Sequence, residues 1–168
     1  MKYIVEGIDR LGKSTLVGAI QDRLGYHLVI HYDKPKKLKY YGVKYAEPLK
    51  VYQKEVNTTM FSLINTKGLN IIFDRGHLGE CVYAPLYRNY SGDYVFDHER
   101  LVDISDAKLI LLTTSNFDIC VDDGESFNFE NKEKEQELFI KAFNKSNMNK
   151  VMIDVYDSIT RKFKSPSE

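Results

Sequence analysis

The chain has 168 residues, room for one compact domain with a full core and too little for a multidomain machine. Lys and Arg total 24 and Asp and Glu also total 24, so the net charge is zero and no global excess attracts polyanions, which argues against a dedicated nucleic-acid coat. Hydrophobic residues at 43% and charged residues at 29% exclude a disordered chain, which has too little apolar surface to bury.

Two cysteines, Cys81 and Cys120, lack the close spacing of a zinc site and are too few for a disulfide framework, so buried or idle thiols are expected. The opening run MKYIVEGID has no small-residue cleavage site, and no segment approaches the ~20 apolar residues of a membrane span. A cytoplasmic, single-domain protein with no membrane partner is the expectation.

Short β-rich runs alternate with longer helical patterns along the chain. Lys2 to Glu6 reads as a strand ending at Gly7, and Lys13 to Leu24 as a helix with Leu16, Ala19, Ile20 and Leu24 on one face and Gly25 as its stop. His27 to His31 reads as a second strand. From Glu47, with Pro48 suited to the first helical position, Leu49, Tyr52, Val56, Met60, Leu63 and Ile64 keep a helical period up to Gly68. Leu69 to Phe73 is a buried strand, and Tyr87 to His98, rich in Tyr, Asn, Ser, Gly and Asp, reads as a loop.

Lys108 to Thr113 is the fourth strand, followed by Ser115 as N-cap of a short helix. Glu130 to Asn144 is a charged helix with Leu138, Phe139, Ala142 and Phe143 inward, and Lys150 to Val155 the fifth strand; the tail from Arg161 reads as frayed. Strands separated by helix-length crossovers predict an α/β fold: a three-layer sandwich of about five parallel strands with helices on both faces.

Gly7-Ile8-Asp9-Arg10-Leu11-Gly12-Lys13-Ser14-Thr15 fits G-x-x-x-x-G-K-[ST], between a predicted strand and a predicted helix as that phosphate-binding loop requires. Gly7 and Gly12 let backbone N–H groups turn inward around phosphate oxygens, and the helix N-terminus adds its positive end. Lys13 reaches the β- and γ-phosphates, and the Ser14 hydroxyl, beside Thr15, completes the shell of Mg²⁺. The motif thus predicts a P-loop NTPase fold that takes ATP with Mg²⁺.

Asp74 and Arg75 close the third strand, and in open parallel sheets the carboxyl ends of the strands face the ligand crevice. Asp74 then serves the Mg²⁺ shell and Arg75 grips a second phosphate with a bidentate fork. Arg10, inside the loop, is placed to stabilise charge on a transferred phosphoryl group. Asp9 beside it suits a phosphate cradle only if it turns toward an acceptor hydroxyl. The cationic and aromatic run Lys34 to Tyr41 reads as a solvated loop, or as a contact for an anionic substrate or a strand of nucleic acid.

Glu6-Gly7-Ile8-Asp9-Arg10-Leu11-Gly12-Lys13-Ser14-Thr15 resembles the E-G-x-D-R-x-G-K-[ST]-T loop of thymidylate kinases, in the subtype that carries its catalytic arginine in the phosphate loop. Asp74-Arg75 is similar to that family's D-R-Y motif, with Gly76 in place of the tyrosine and Tyr83 where the motif continues with an aromatic. The likeness implies a deoxynucleoside monophosphate kinase, of a size that suits a short phage or viral member. It further implies that Arg10 bridges donor and acceptor phosphates, Asp9 contacts the deoxyribose 3′-hydroxyl and Arg75 binds the acceptor monophosphate. Residues 121–130, without arginine, would be the lid.

Lys34 stands where the family has an arginine after strand two. Lys50 and Lys54 fall where the family usually has an aromatic and an arginine that meet thymine, which points to another or modified pyrimidine or to broad specificity. Related kinases dimerise, so a homodimer belongs to the same expectation. Two other readings share the motifs: a kinase acting on a nucleoside hydroxyl or a modified base in DNA, and a nucleotide-binding module without turnover.

Overall fold

The computed structural model describes residues 1–32, 46–121 and 129–165. Five parallel strands form the sheet: β1 (Lys2–Glu6), β2 (Leu28–His31), β3 (Ile71–Asp74), β4 (Ala107–Thr113) and β5 (Asn149–Asp154), in the order β2-β3-β1-β4-β5. The helices are α1 (Lys13–Leu24), α2 (Ala46–Asn65), α3 (Leu78–Tyr87), α4 (Val95–Arg100) and α5 (Lys132–Lys145). Parallel crossovers are right-handed. The step from β1 toward the β2 edge therefore sets α1 on one face, and the later steps in the opposite direction set α2 to α5 on the other.

Because both faces are covered, the central strands can be apolar without alternation. Ile4, Val5, Ile71, Ile72, Phe73, Leu109 and Leu111 are fully buried and join Phe61, Leu78 and Phe139 in one core. Val5 pairs with Asp74, and His31 also pairs with Asp74, so β1, β2 and β3 end level at their carboxyl edge. The first functional consequence is that Gly7, His31 and Arg75 all enter the same crevice.

Several expectations are corrected. The stretch expected to be loop from Tyr87 to His98 contains the end of α3 and the start of α4. After β4 the cap is Asn116, whose side chain accepts the Asp118 N–H, rather than Ser115. The tail from Arg161 is not frayed throughout: β6 (Tyr156–Asp157) pairs antiparallel with β7 (Lys162–Phe163). Phe139, Ala142 and Phe143 are buried in the core and Leu138 packs against it, as expected. Lys34, the Lys34 to Tyr41 run and most of the expected lid lie outside the described residues.

Among the described residues no helix is long and apolar enough to cross a membrane. Burial pushes the Cys81 thiol up to about 12, which leaves it a packed, unreactive group.

One buried polar junction locks the helical layer. Glu99 on α4 accepts from Ser146 Oγ at 2.8 Å and Asn147 N–H at 2.5 Å, beyond the end of α5. Its carboxylate also pairs at 3.3 Å with His77, which precedes α3. Burial alone would raise the Glu99 pKa, but His77 and these donors hold it below the ordinary 4.5. A depressed carboxylate contributes stability above its unfolded pKa and loses it as pH falls through the folded one. Glu99→Gln should therefore cost about 1–3 kcal/mol at neutral pH. Urea unfolding should show the gap between variant and wild type closing as pH drops below 4.5.

Candidate functional site

The phosphate loop runs from the end of β1 into α1. Gly7 has φ 140°, and a Cβ there would lie 2.6 Å from the Leu112 carbonyl oxygen on the neighbouring strand. Gly12, with φ 77°, caps α1. The helical ladder begins with Leu16 N–H donating to Gly12 O at 3.0 Å, so the N–H groups of Lys13, Ser14 and Thr15 precede it and point out of the helix end. Lys13 folds inward, its Nζ donating to Gly7 O at 2.9 Å and Ile8 O at 2.6 Å. That closes the loop into a ring around its own ammonium group.

Lys13 is 6% exposed, and burial is the main reason that its pKa falls to about 8, with Arg75 pushing the same way and Asp9 and Asp74 opposing. An anion placed in the ring would favour the charged form. The expected behaviour follows in sign: as pH rises through about 8, the ligand-free lysine loses its proton and triphosphate affinity falls. Calorimetry of ATP binding at this pH, in buffers of different ionisation enthalpy, should show net proton uptake by the protein. Lys13→Ala should abolish that uptake.

Asp74 is 5% exposed at the end of β3. Its Oδ2 accepts from Ser14 Oγ at 3.4 Å and from His31 Nδ1 at 2.9 Å. The other oxygen, Oδ1, is buried with no hydrogen-bond partner among the described residues. A buried carboxylate that touches the loop serine through one oxygen and leaves the other without a donor fits a hydrated divalent cation. Among the described residues no group of three or more His, Cys, Asp or Glu gathers around a common point. A cation held mainly by phosphate and water needs none.

Arg75 follows directly, and its backbone is left-handed at φ 72°. The guanidinium is held from both ends: one nitrogen donates to Asp9 Oδ1 at 3.2 Å, the other meets His31 Nε2 at 3.2 Å and Tyr32 O at 3.5 Å. Arg10 is exposed in the loop and also left-handed, at φ 69°. A non-glycine residue in this region costs of order 1 kcal/mol and persists only where its surroundings demand it. Both arginines of the crevice share that feature.

Gly76 stands where a side chain would be crowded. A Cβ there would stand 2.6 Å from Ile4 Cγ2 and 3.2 Å from Glu6 Oε1. Glu6 is itself fully buried, accepting the Leu78 N–H at 2.8 Å and so anchoring the start of α3. Burial raises its pKa. Reading the sequence alone assigned Glu6 no role; its place immediately before the loop glycine was the only signal.

Tyr83, on α3, stacks on Tyr87 with centroids 6.2 Å apart and meets the Phe139 ring edge-on. Burial raises its phenol pKa, with the Glu135 carboxylate adding to the shift. Lys54 does not reach the loop: its ammonium lies 5.4 Å over the Tyr94 ring, at a depression of about 430 Å³ that Lys50, Arg100 and Lys145 also line.

Behind that depression Glu80 accepts from Arg88 at 2.7 Å, Tyr90 at 2.7 Å and Tyr94 at 3.1 Å. Three donors occupy it, so Glu80 is a structural carboxylate and not a free base. His77 likewise belongs to the Glu99 junction.

Comparison with solved structures shows the fold, which this chain shares with nucleoside and nucleotide kinases. The Bacillus subtilis YorR protein, solved in complex with phosphorylated GDP, matches with TM-score 0.58 and 19% identity over 92% of this chain and 85% of its own. Thymidylate kinase from Candida albicans matches with TM-score 0.56 and 17% identity, over 95% and 86%. Deoxyadenosine kinase from M. mycoides, solved with the products dCMP and dCDP, matches with TM-score 0.53 and 19% identity, over 96% and 94%. No family model and no curated protein matches the sequence.

Proposed function

We propose that the protein transfers the γ-phosphoryl group of ATP, with Mg²⁺, to the phosphate of a deoxynucleoside monophosphate, dTMP or a related or modified pyrimidine. The observation that carries this reading is Arg75. It sits at the end of β3, next to Asp74, with its fork preset by Asp9 and His31. Such a guanidinium suits a second phosphate, one that is not part of the triphosphate in the loop.

In this reading Gly7, Gly12, Ser14 and Thr15 wrap the triphosphate with backbone N–H groups, and Lys13 turns from the loop carbonyls to its outer phosphates. Arg75 holds the acceptor phosphate in line, and Arg10 reaches the transferring group, where charge builds. Ser14 and Asp74 Oδ1 would hold the metal, which when bound neutralises charge on the phosphates. Tyr83 walls the sugar side, while Lys54 and Lys34 would act toward the base end. Asp9 has two claims on it: the bond to Arg75 and the sugar hydroxyl that the resemblance implies.

The chemistry of the carboxylates favours a phosphate acceptor over a hydroxyl. A hydroxyl benefits from a base near the reacting oxygen, yet Asp74 Oδ2, Asp9 and Glu80 are each engaged by donors. An acceptor phosphate is already ionised and requires only alignment.

The experiment is ADP release from Mg-ATP with dTMP, dUMP, dCMP, dAMP, dGMP, the free nucleosides and single-stranded DNA, with products separated by chromatography. Deoxynucleoside diphosphates are expected, and Arg10→Ala should lower kcat by about 10³-fold while leaving ATP affinity within a few-fold. Turnover confined to nucleosides or DNA, or no turnover, contradicts the proposal.

A further inference from the structure

His31 ends β2 directly opposite Asp74, its register partner on β3, and register partners send their side chains to the same side of the sheet. Its ring touches both acidic and basic members of the crevice. Nδ1 lies 2.9 Å from Asp74 Oδ2, and Nε2 lies 3.2 Å from a terminal nitrogen of Arg75.

The chemistry of the two partners fixes the ring. A guanidinium nitrogen only donates, so the Nε2 facing it must accept; a carboxylate oxygen only accepts, so the Nδ1 facing it must carry the hydrogen. One form satisfies both contacts at once, the neutral imidazole with its hydrogen on Nδ1. A ring with hydrogen on Nε2 would set donor against donor beside Arg75.

We propose that His31 is a positioning residue that ties the metal-side carboxylate of Asp74 to the phosphate-gripping guanidinium of Arg75. This rests on the roles given to Asp74 and Arg75 above. By occupying Asp74 Oδ2, the ring turns the carboxylate so that Oδ1 is the oxygen left open. By accepting from Arg75, it opposes the pull of Asp9 on the other end of the guanidinium. The fork is thereby fixed in rotation before an anion arrives, a preorganisation that lowers the cost of binding. The two halves of the crevice, donor metal and acceptor phosphate, become one rigid unit.

The side chain of His31 is 42% exposed, so replacing it leaves the core intact. Two substitutions separate its two bonds. His31→Asn puts an amide N–H near the Nδ1 position and keeps the Asp74 contact, losing that to Arg75. His31→Gln reaches the Nε2 position with a carbonyl that accepts from Arg75 and loses the donor to Asp74.

With the best acceptor among the five deoxynucleoside monophosphates above, His31→Asn should raise acceptor KM about tenfold with the half-saturating Mg²⁺ concentration unchanged. His31→Gln should do the reverse. Calorimetric binding of the same monophosphate without metal should weaken in the Asn variant and hold in the Gln variant. Equal shifts of both constants in both variants, or no shift in either, would overturn the proposal.

The ring itself is read without substrate. A long-range ¹H–¹⁵N spectrum of the wild-type histidines, assigned by the signals lost in His31→Gln, should show His31 protonated at Nδ1 and bare at Nε2. Hydrogen on Nε2 would overturn the tie, whatever the protein's activity. Absence of turnover with a bare Nε2 would remove the kinase reading while keeping the tie.

Discussion

The structure depends on three parallel strands ending on one line. Val5 and His31 both pair with Asp74, so the residues just beyond, the loop glycine Gly7 and the arginine Arg75, emerge side by side at the carboxyl edge of the sheet. This register holds the Asp74 carboxylate 3.4 Å from the Ser14 hydroxyl across sixty residues of sequence. Side chains on a sheet are positioned by hydrogen-bonded register rather than by loop packing, and that is the precision phosphoryl transfer requires.

Around this line the crevice stores strain and uncompensated polarity. Arg10 and Arg75 are both left-handed, Asp74 Oδ1 is buried without a partner among the described residues, and Lys13 is depressed to about 8 by its burial. Each would be relieved by a polyanion and its cation: an anion favours the charged form of Lys13, a cation satisfies Asp74, and phosphate oxygens reward the two arginines for their backbone. By contrast, Glu80 is matched by Arg88 and two tyrosines, and Glu99 by Ser146 and Asn147. That sets these two structural carboxylates apart from Asp74.

Much of this was legible in the sequence because it depends on local signals. The phosphate loop carries its glycines at fixed offsets, α1 keeps a helical period and ends at Gly25, and β4 reads as a continuous apolar run because helices cover both faces. The region from Leu78 to Arg100 was not legible. α3 contains Gly79 and Pro85 and buries Glu80, and α4 is only six residues long, so composition there speaks for loop. Tertiary bonds decide it instead: the Glu6 carboxylate caps the start of α3, and the Glu99 junction fixes α4. His31 escaped notice for the same reason, since a histidine at a strand end has no motif and acquires meaning only from a residue forty-three positions away.

The central claim is that one rigid crevice holds a donor triphosphate and an acceptor monophosphate at the same time, joined through the line of Gly7, Asp74 and Arg75. Its most direct test is the affinity of a bisubstrate compound in which adenosine and thymidine are linked through five phosphates, measured by calorimetry with Mg²⁺. The account predicts binding at least about 10²-fold tighter than either ATP or dTMP alone, the behaviour of a ligand that spans two preorganised sites. That gain should be lost in both Lys13→Ala and Arg75→Ala. Binding no tighter than that of ATP, or indifferent to Arg75, would contradict it.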